Sequence, residues 1–420
     1  MKIIVAHPGK QHSYRTASAL KKRGFLFKYI TTIYDSEKCF SIKILKHLLP
    51  YNEKKRITTR RNIDLDDDDV IQFCVISGYI EAFLSRFSKI NYIYRFWQQF
   101  NADRFGRKVA IYAIKNNVDA IIIYDSNAYK CFEILKKKRS KIVRIMDVSH
   151  INRIYQHEIV FNLRNNDVND NEDCLPYLFP KWYLKKIIKE NENTDYFLVP
   201  SHFVAKSLEY SGINEKNIFE IPYGSNFSFS SKIKLKKINK IVFLFVGKIS
   251  FAKGITFLLQ AFEKISNNNV ELRLVGEYDD SKWFYKKYCD KKNICFVGKK
   301  LHNEVLEELS SADVFILPSL MEGMSLAGLE AISCGLPIIC TNSSGLDKFV
   351  DERINGFIVE PKNIDQLYEK LKWCIEHKNN LMTMGEYSLE KSKMCTWENY
   401  ENNFINTIID ILNREGIFYE

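Results

Sequence analysis

The sequence predicts an α/β protein built from two doubly wound parallel sheets. Two segments, residues 2–23 and residues 241–265, begin alike, each with an apolar strand, a glycine turn and an amphipathic helix. Each segment is followed by further apolar strands that alternate with helices, which is typical of parallel sheets covered on both faces. Two such halves predict two Rossmann-like domains.

The first half opens with a strand at residues 2–6, which runs into Pro8 and Gly9, and a helix follows to about Arg23. Basic residues in the last turn of that helix, followed by Gly24, are a typical helix stop. Later strands of this half are predicted at 119–124, 142–146, 195–199 and 217–221. Residues 35–110 carry few turn signals and allow no clear assignment.

The second half opens with a strand at 241–246, then Gly247, and a helix begins near Gly254. Apolar residues recur in this helix at the spacing of one helical face: Ile255, Leu258, Leu259, Phe262 and Ile265. Later strands are predicted at 270–275, 293–297, 313–317, 337–340 and 356–359. Large apolar side chains at helical spacing from Trp397 to Ile411 predict a terminal helix, which could pack back on the first domain.

The polar, basic and serine-rich segment SNFSFSSKIKLKKINK lies just before the strand that opens the second half. Domain boundaries fall in segments of this composition. We therefore expect a first domain at 1–225, a linker at 226–239, a second domain at 240–395 and a terminal helix at 396–420.

The composition excludes several classes of protein. Of the 420 residues, 46% are hydrophobic, which is too many for a disordered chain. The longest apolar runs have strand length, whereas a membrane-spanning helix needs roughly 20 apolar residues, so we expect no transmembrane segment. The first ten residues lack the apolar stretch of a secretory signal. The 10 Cys include no C-x-x-C pair, which favours a reducing, cytoplasmic compartment.

Charge is distributed unevenly along the chain. Residues 1–240 carry 42 Lys and Arg against 25 Asp and Glu, a net charge of +17, while residues 241–420 carry 20 against 26, a net charge of −6. A basic half suits an anionic partner, such as a lipid headgroup, a diphosphate or a nucleic acid, or it reflects abundant lysine alone. No nucleic-acid motif supports the third option. The acidic run Asp66–Asp69 is interpreted as a solvated loop, and no metal requirement is expected.

The strongest motif is the segment 318–341, in which a strand, a short loop and a helix carry Glu322 and Glu330. Four backbone N–H groups lie at the start of that helix: those of Gly323, Met324, Ser325 and Leu326. Free donors and the helix dipole make such an end a site for an anion such as a phosphate. A carboxylate on each side of this helix end could accept hydrogen bonds from the vicinal hydroxyls of a sugar and of a ribose. The alternative is a capped helix with solvent-facing glutamates.

This segment resembles the E-x₇-E signature of the family-four retaining glycosyltransferases, whose fold is the two-domain GT-B architecture. The order of "PS", "EG", six residues, "EA", Cys-Gly and a Pro-apolar strand matches the family pattern. Further matches cover all of the second domain and the last third of the first, and they include the runs Phe296–Ser319, Asn355–Leu367, Val246–Gly254 and Thr194–Asn226.

The resemblance implies roles for individual residues. Lys253 matches a family lysine that grips the donor diphosphate beside Gly247, and Lys248 stands where the family has an arginine. Lysine lacks the bidentate fork of arginine, so the phosphate geometry can differ here. Gly9 is a single glycine where the family commonly has a Gly-Gly pair near the donor phosphate. The resemblance implies two further roles: Glu322 would position the transferred sugar, and Glu330 would accept hydrogen bonds from the two ribose hydroxyls.

A histidine after a central strand of the first domain is also a family feature, close to the transferred sugar. His150, in the run KIVRIMDVSH, occupies that place, and His157 is a rival seven residues further on. Histidine titrates near neutrality and can donate hydrogen bonds to sugar hydroxyls. A purely structural histidine is the alternative. The predicted catalytic set is therefore Glu322, His150 and Lys253.

The resemblance implies a retaining glycosyltransferase that moves a sugar from a nucleotide-diphosphate donor to a glycan or lipid-linked acceptor, in surface polysaccharide assembly. It also implies that the first domain, 1–225, binds the acceptor and that the second domain, 240–395, binds the nucleotide-sugar donor. No cofactor is expected besides the donor. One alternative is a nucleotide-sugar epimerase on the same fold, which would need residues placed to abstract a sugar C–H proton, and the sequence contains no evident set of this kind. Another is a non-catalytic partner subunit that binds nucleotide-sugars.

Two basic amphipathic segments, 40–49 and 181–189, suit contact with an anionic membrane at its cytoplasmic face. The sequence therefore predicts salt-sensitive binding to anionic vesicles, carried by Lys43, Lys46, Lys185 and Lys186. Ordinary helices packed on a core are the alternative.

Overall fold

The computed structural model describes residues 1–36, 60–84, 91–166, 174–225, 227, 240–267 and 269–418. Within these residues the strands form two sheets, one of seven strands and one of six, and every neighbouring pair of strands is parallel. The expected architecture of two Rossmann-like α/β units is confirmed. The predicted helix 40–49 and nearly all of the predicted linker lie outside the described residues.

The first sheet has the strand order β3-β2-β1-β4-β5-β6-β7. Its strands are β1 (Ile3–Ala6), β2 (Leu26–Thr31), β3 (Val70–Gln72), β4 (Ala120–Tyr124), β5 (Val143–Asp147), β6 (Tyr196–Val199) and β7 (Ile218–Glu220). The helices that the described residues form in this half are α1 (Ser13–Lys22), α2 (Val75–Leu84), α3 (Asn91–Lys115), α4 (Tyr129–Lys137), α5 (Arg153–Asn166), α6 (Lys181–Glu192) and α7 (His202–Tyr210). The strand order reverses between β1 and β4, which is where open α/β sheets bind ligands.

The second sheet has the order β10-β9-β8-β11-β12-β13. Its strands are β8 (Ile241–Val246), β9 (Val270–Val275), β10 (Ile294–Gly298), β11 (Val314–Leu317), β12 (Ile338–Thr341) and β13 (Gly356–Val359). Its helices are α8 (Ile255–Glu263), α9 (Trp283–Tyr288), α10 (His302–Ser311), α11 (Leu326–Ser333), α12 (Ile364–Glu376), α13 (Asn380–Ser392) and α14 (Trp397–Arg414). All six residues of β8 are buried, as expected for a strand covered on both faces.

The terminal helix α14 packs on α1 of the first half. Lys22 forms an ion pair with Glu401 at 2.6 Å, and the hydroxyls of Thr16 and Tyr400 lie 3.3 Å apart. The chain passes between the halves at two adjacent places, since the Ser225 N–H donates to the Cys395 carbonyl at 2.7 Å. The two connections therefore run side by side. In the described part of the chain, no helix is long and apolar enough to cross a membrane.

Candidate functional site

The loop that joins β11 to α11 is tied to the loop that follows β12. The carbonyl of Ser319 accepts hydrogen bonds from the hydroxyls of Thr341 at 2.5 Å and Ser343 at 2.7 Å. The Glu322 N–H donates to the Ser343 carbonyl at 3.1 Å. These bonds are largely buried, so the carboxyl ends of two neighbouring strands hold the Glu322 backbone in place.

The Glu322 carboxylate lies between two donors. Ser319 Oγ donates to one carboxylate oxygen at 2.8 Å, and Lys253 Nζ forms an ion pair with the other. Both charged side chains keep limited access to solvent, so this pair can still meet a ligand. Charge-assisted bonds of this kind orient both partners. The two residues that the sequence analysis assigned to the sugar and the diphosphate are thus brought into contact.

Lys253 is positioned by a short 3₁₀ helix, residues 251–253, and by the glycine after it. Gly254 has φ +68°, and a Cβ built there would lie 1.9 Å from the Pro318 carbonyl oxygen. Only glycine permits both this backbone conformation and this approach. Gly247 lies beside the Lys253 side chain, its built Cβ falling 3.9 Å from the Lys253 Cε. The two glycines thus bring the lysine against the Glu322 loop.

The start of α11 is a candidate anion site. Ser325 caps the helix by accepting from the Gly328 N–H at 3.2 Å. Among the described residues, no hydrogen-bond acceptor pairs with the backbone N–H groups of residues 323–326. These four donors, together with the helix dipole and the nearby Lys253, can bind a phosphate. Lys248 is exposed two residues after β8, and it forms no ion pair within the described part of the chain.

Glu330 is buried in α11, with 6% of its surface exposed. The expectation of solvent-facing glutamates, which was the alternative for this segment, therefore fails at this position. His302 Nε2 lies 4.0 Å from a Glu330 carboxylate oxygen, and the Phe227 ring stacks on His302 with centroids 4.7 Å apart. The sequence analysis did not identify His302. Its only signal is its place at the start of the helix that follows β10.

The loop between β11 and α11 also contacts the first half. A Cβ built on Gly323 would lie 2.0 Å from the Ser149 carbonyl oxygen, so the backbones touch. Ser201 Oγ donates to the Gly323 carbonyl at 2.5 Å. The Tyr223 N–H lies 3.2 Å from Met324 Sδ. The helix end and the loops that follow β5 and β6 therefore form one site between the two halves.

His150 follows Ser149 at this contact. Burial among protein groups and the Arg153 guanidinium lower the pKa of His150, whereas Asp125 and Glu322 act in the opposite direction. The ring nevertheless keeps access to solvent. A Cβ built on Gly323, the residue after Glu322, would lie 3.3 Å from the His150 Cα, and Lys253 pairs with Glu322, so the three predicted catalytic residues lie in one cluster. A lowered pKa keeps the imidazole neutral near pH 7.

Asp125 and Ser149 orient this histidine. The Asp125 carboxylate accepts from the Ser149 N–H at 3.2 Å and from Ser149 Oγ at 3.3 Å, and Ser149 Oγ lies 2.8 Å from His150 Nδ1. Ser149 has one hydroxyl proton, so it accepts from the His150 Nδ1–H when it donates to Asp125. Nε2 of the neutral ring is then an acceptor for a hydroxyl group. The sequence analysis missed Asp125, whose signal is a carboxylate directly after the buried run IIIY.

Two predicted residues do not join this cluster. His157 accepts from the Phe179 N–H at 3.0 Å and stacks on Phe161, so it holds local structure. Gly9 lies in the turn after β1, where its N–H donates to His7 Nδ1 at 2.8 Å. Burial lowers the pKa of His7 to about 4. Within the described residues, no contact connects Gly9 to the Glu322 loop.

A second polar pair lies at the carboxyl edge of the first sheet. His12 Nε2 and an Asp147 carboxylate oxygen are 2.9 Å apart, and the His12 ring packs against Tyr124 and Tyr223. Asp147 ends β5, two residues before Ser149.

The acidic run Asp66–Asp69 is partly neutralised by a lysine, because Asp66 and Asp69 both form ion pairs with Lys21. Among the residues that the structure describes, no group of three or more His, Cys, Asp or Glu could hold a metal ion.

Fold and site together define a protein with the GT-B architecture, in which two Rossmann-like units meet at the start of α11. Residues 226–391 match the family model described as "Glycosyl transferases group 1". Two solved structures share the fold over nearly their whole length. Sucrose-phosphate synthase from Thermosynechococcus elongatus is 17% identical with a TM-score of 0.67, and the match covers 99% of this chain and 100% of that one. Anabaena HepE in complex with UDP is 15% identical with a TM-score of 0.61, covering 97% and 99%.

Curated relatives match over shorter stretches. An uncharacterized glycosyltransferase of Methanocaldococcus jannaschii is 27% identical over 198 residues, which are 46% of this chain and 49% of the relative. The Escherichia coli UDP-Gal:alpha-D-GlcNAc-diphosphoundecaprenol alpha-1,3-galactosyltransferase is 35% identical over 148 residues, 33% of this chain and 38% of the relative. The chain thus spans about half or less of the length of these two relatives.

Proposed function

We propose that this protein is a retaining glycosyltransferase that moves a sugar from a nucleotide-diphosphate donor to a glycan or lipid-linked acceptor. The observation that carries the proposal is the Lys253–Glu322 pair beside the unpaired N–H groups at the start of α11, in contact with the loop that bears His150. A cation and free donors bind a diphosphate, and a carboxylate beside them suits the sugar attached to it.

Each residue takes a role that its surroundings support. The N–H groups of residues 323–326 and Lys253 hold the phosphates, and Lys248, exposed two residues after β8, supplies a second cation for them. Buried Glu330, beside His302, accepts from the ribose diol. Glu322 orients the transferred sugar. Neutral His150 accepts a hydrogen bond from a sugar hydroxyl at Nε2, because its Nδ1–H is hydrogen-bonded to Ser149 Oγ.

Charge development explains why these groups assist the reaction. Breaking the glycosidic bond builds positive charge on the sugar and negative charge on the diphosphate. Lys253, Lys248 and the α11 dipole stabilise the negative charge, and the Glu322 carboxylate stabilises the positive charge. The acceptor hydroxyl attacks the sugar from the face that the diphosphate leaves. The departing phosphate oxygen takes the hydroxyl proton, so configuration is retained and no enzyme nucleophile is required.

The relatives suggest which substrates to test first. The E. coli relative is named for a UDP-galactose donor and a diphosphoundecaprenol-linked acceptor, and another E. coli relative is named as an O-antigen chain mannosyltransferase. The Anabaena structural neighbour contains UDP. These names support a role in surface polysaccharide assembly, with a UDP-sugar as the first donor to test and with the reaction at the cytoplasmic face of the membrane.

A donor screen tests the proposed function directly. UDP-, GDP- and ADP-sugars are added to the full chain and thermal unfolding is measured. A donor at 100 times its Kd adds about 2.7 kcal/mol to the free energy of unfolding, so one nucleotide class should raise Tm clearly. The stabilising donor is then assayed for sugar transfer and for the anomeric configuration of the product. If none of the three nucleotide classes raises Tm, the proposal is wrong.

The two glutamates should separate nucleotide binding from turnover. Glu330→Ala should weaken binding of the free nucleotide, because the ribose loses a buried acceptor. Glu322→Ala should lower kcat and leave free-nucleotide binding unchanged, because the nucleotide itself does not contact Glu322 in this assignment. Calorimetric titration with the free nucleotide diphosphate measures the first effect and initial rates the second. Equal loss of nucleotide binding in both variants would contradict this division of roles.

The pH profile of transfer should report His150. Because the pKa of His150 lies below the ordinary histidine value of about 6.5, the imidazole stays neutral from pH 8 to below pH 6.5. The rate should therefore fall only at lower pH. Arg153→Gln removes a cation that lowers this pKa, so the acidic limb of kcat/KM should move to higher pH. Asp125→Asn removes a raising influence and should move the limb the opposite way. Shifts in the same direction for both variants would exclude His150 as the titrating group.

A further inference from the structure

The helices α2 and α3 extend past the carboxyl edge of the first sheet. α2 follows β3, so its first residues lie at that edge, and the Tyr112 ring, late in α3, packs against the ring of Phe73, which directly follows β3. The 25 residues of α3 span roughly 37 Å, whereas the five of β4 span roughly 17 Å. The first half of α3 therefore projects beyond the sheet, on the side where the candidate site lies.

The contact between these two helices is polar. Ser77 Oγ donates to Asn101 Oδ1 at 2.6 Å, and Asn101 Nδ2 donates to the Glu81 carboxylate at 2.5 Å. The Trp97 indole N–H donates to the Ser77 carbonyl at 3.1 Å. Ser77 and Asn101 are both buried. A helix pair in water usually places apolar residues in this position and polar residues outside.

The outward side of the same two helices is apolar. Ile76 is 79% exposed, Ile93 53%, Phe96 62% and Phe100 45%. Ile76, Phe96 and Phe100 each precede a residue of the polar contact by one position, namely Ser77, Trp97 and Asn101. In an antiparallel pair, equal offsets from the contact fall on the same side. We call the exposed surface of Ile76, Ile80, Ile93, Phe96 and Phe100 the hairpin face.

Basic residues continue the hairpin face along α3. Arg104, Arg107 and Lys108 are exposed at the helical spacing that follows Phe100, and the Arg104 guanidinium lies 5.6 Å from the Phe100 ring centroid. Helix α6 lies beside them and exposes Trp182 and Lys185. A predicted member of the membrane contact, Lys186, instead bonds Asp103 and Gln99 and leaves 11% of its side chain exposed. Lys186 therefore holds α6 against α3.

We propose that the hairpin face docks on an anionic lipid bilayer. Exposed aromatic and branched apolar side chains beside arginines match the boundary between acyl chains and anionic headgroups. A contiguous exposed apolar surface marks an interaction site. A second copy of this chain is a poorer occupant, because residues 1–240 carry a net charge of +17 and would meet the same charge.

Docking by this face would bring the carboxyl edge of the first sheet close to the lipid surface. An acceptor carried on a lipid could then reach His150 and the Glu322 loop without leaving the bilayer. This consequence rests on the proposed function, since it assumes that the site transfers a sugar. The docking itself does not, and it is measured without any nucleotide.

The test is co-sedimentation of the full chain with vesicles of phosphatidylcholine alone and of phosphatidylcholine with phosphatidylglycerol. The parent should bind the anionic vesicles, and high salt should release most of it, because headgroup attraction is screened. Phe96→Ser with Phe100→Ser should lower the partition coefficient by about tenfold or more, since each exposed ring loses its burial in lipid. Arg104→Gln with Arg107→Gln should remove most of the preference for anionic vesicles.

A matched control replaces two similarly exposed residues of the second half, Met382→Ser with Tyr387→Ser, and should bind vesicles like the parent. Donor binding is measured on every variant. The docking proposal is supported if the hairpin-face variants lose vesicle binding and still bind the donor. A parent protein that binds no donor would overturn the proposed function and leave the docking proposal intact. The proposal is overturned if the parent ignores anionic vesicles at low salt. It is also overturned if the Phe96 and Phe100 double variant binds like the control, or if that variant converts a dimeric parent to a monomer.

Discussion

Replacing Lys253 with alanine should lower the rate of sugar transfer by about 100-fold or more. The expected size is that of removing one donor to a charge that develops in the transition state. Lys253 Nζ pairs with Glu322, and Glu322 directly precedes the N–H groups at the start of α11, so we assign this cation to the leaving diphosphate. Initial rates at saturating donor and acceptor measure the effect on kcat.

Two controls bracket this result. Lys248→Arg should keep or raise activity, because arginine presents a bidentate fork to phosphate. Lys264→Ala removes an exposed lysine of the second half that pairs with Asp365, and it should leave transfer unchanged. The Tm of the Lys253→Ala variant shows whether the fold tolerates a Glu322 carboxylate without its lysine partner. A folded Lys253→Ala protein that transfers at the parental rate would show that the diphosphate is held elsewhere.

Gly254→Ala should destabilise the fold strongly. Its φ of +68° strains any residue with a Cβ, and that Cβ would fall 1.9 Å from the Pro318 carbonyl oxygen. A left-handed conformation costs roughly 1–2 kcal/mol, and overpacking adds roughly 1–3 kcal/mol. We therefore expect the free energy of unfolding to fall by about 2–5 kcal/mol, measured by denaturant titration.

Gly24 offers a matched control for this change. It has nearly the same φ, +71°, but a Cβ there would meet no atom within 4 Å. Gly24→Ala should therefore show only the conformational cost of roughly 1–2 kcal/mol. The difference between the two variants isolates the clash with Pro318. If both variants lose the same stability, the close approach of the Lys253 turn to the β11 loop is not a constraint.

Local patterns in the sequence predicted most of the fold. Every strand predicted from an apolar run lies within one residue of its place in the structure. Six of those runs, in β1, β4, β6, β8, β11 and β12, are buried on both faces, so there the pattern reports the environment directly. The missed strands β2 and β3 lack this signal: β2 contains Lys28, and β3 is three partly buried residues in a segment with few turn signals.

Candidate site residues were predictable where a motif is contiguous. Glu322, Glu330 and the N–H groups between them lie within one strand–loop–helix segment. Asp125 and Ser149 were missed because their role depends on a contact between the loops after β4 and β5. His302 was missed for the same reason, since its neighbour Glu330 is 28 positions away in the sequence.

The sequence by itself determined two α/β units, the order of their strands along the chain and the strand–loop–helix segment that carries Glu322 and Glu330, because hydrophobic period and turn chemistry act over a few residues. Tertiary structure alone decided that Lys253 meets Glu322, that Gly323 contacts Ser149, and that α2 and α3 turn polar residues inward. These features depend on side chains distant in sequence, whose pairing follows from strand order and close packing rather than from local propensity.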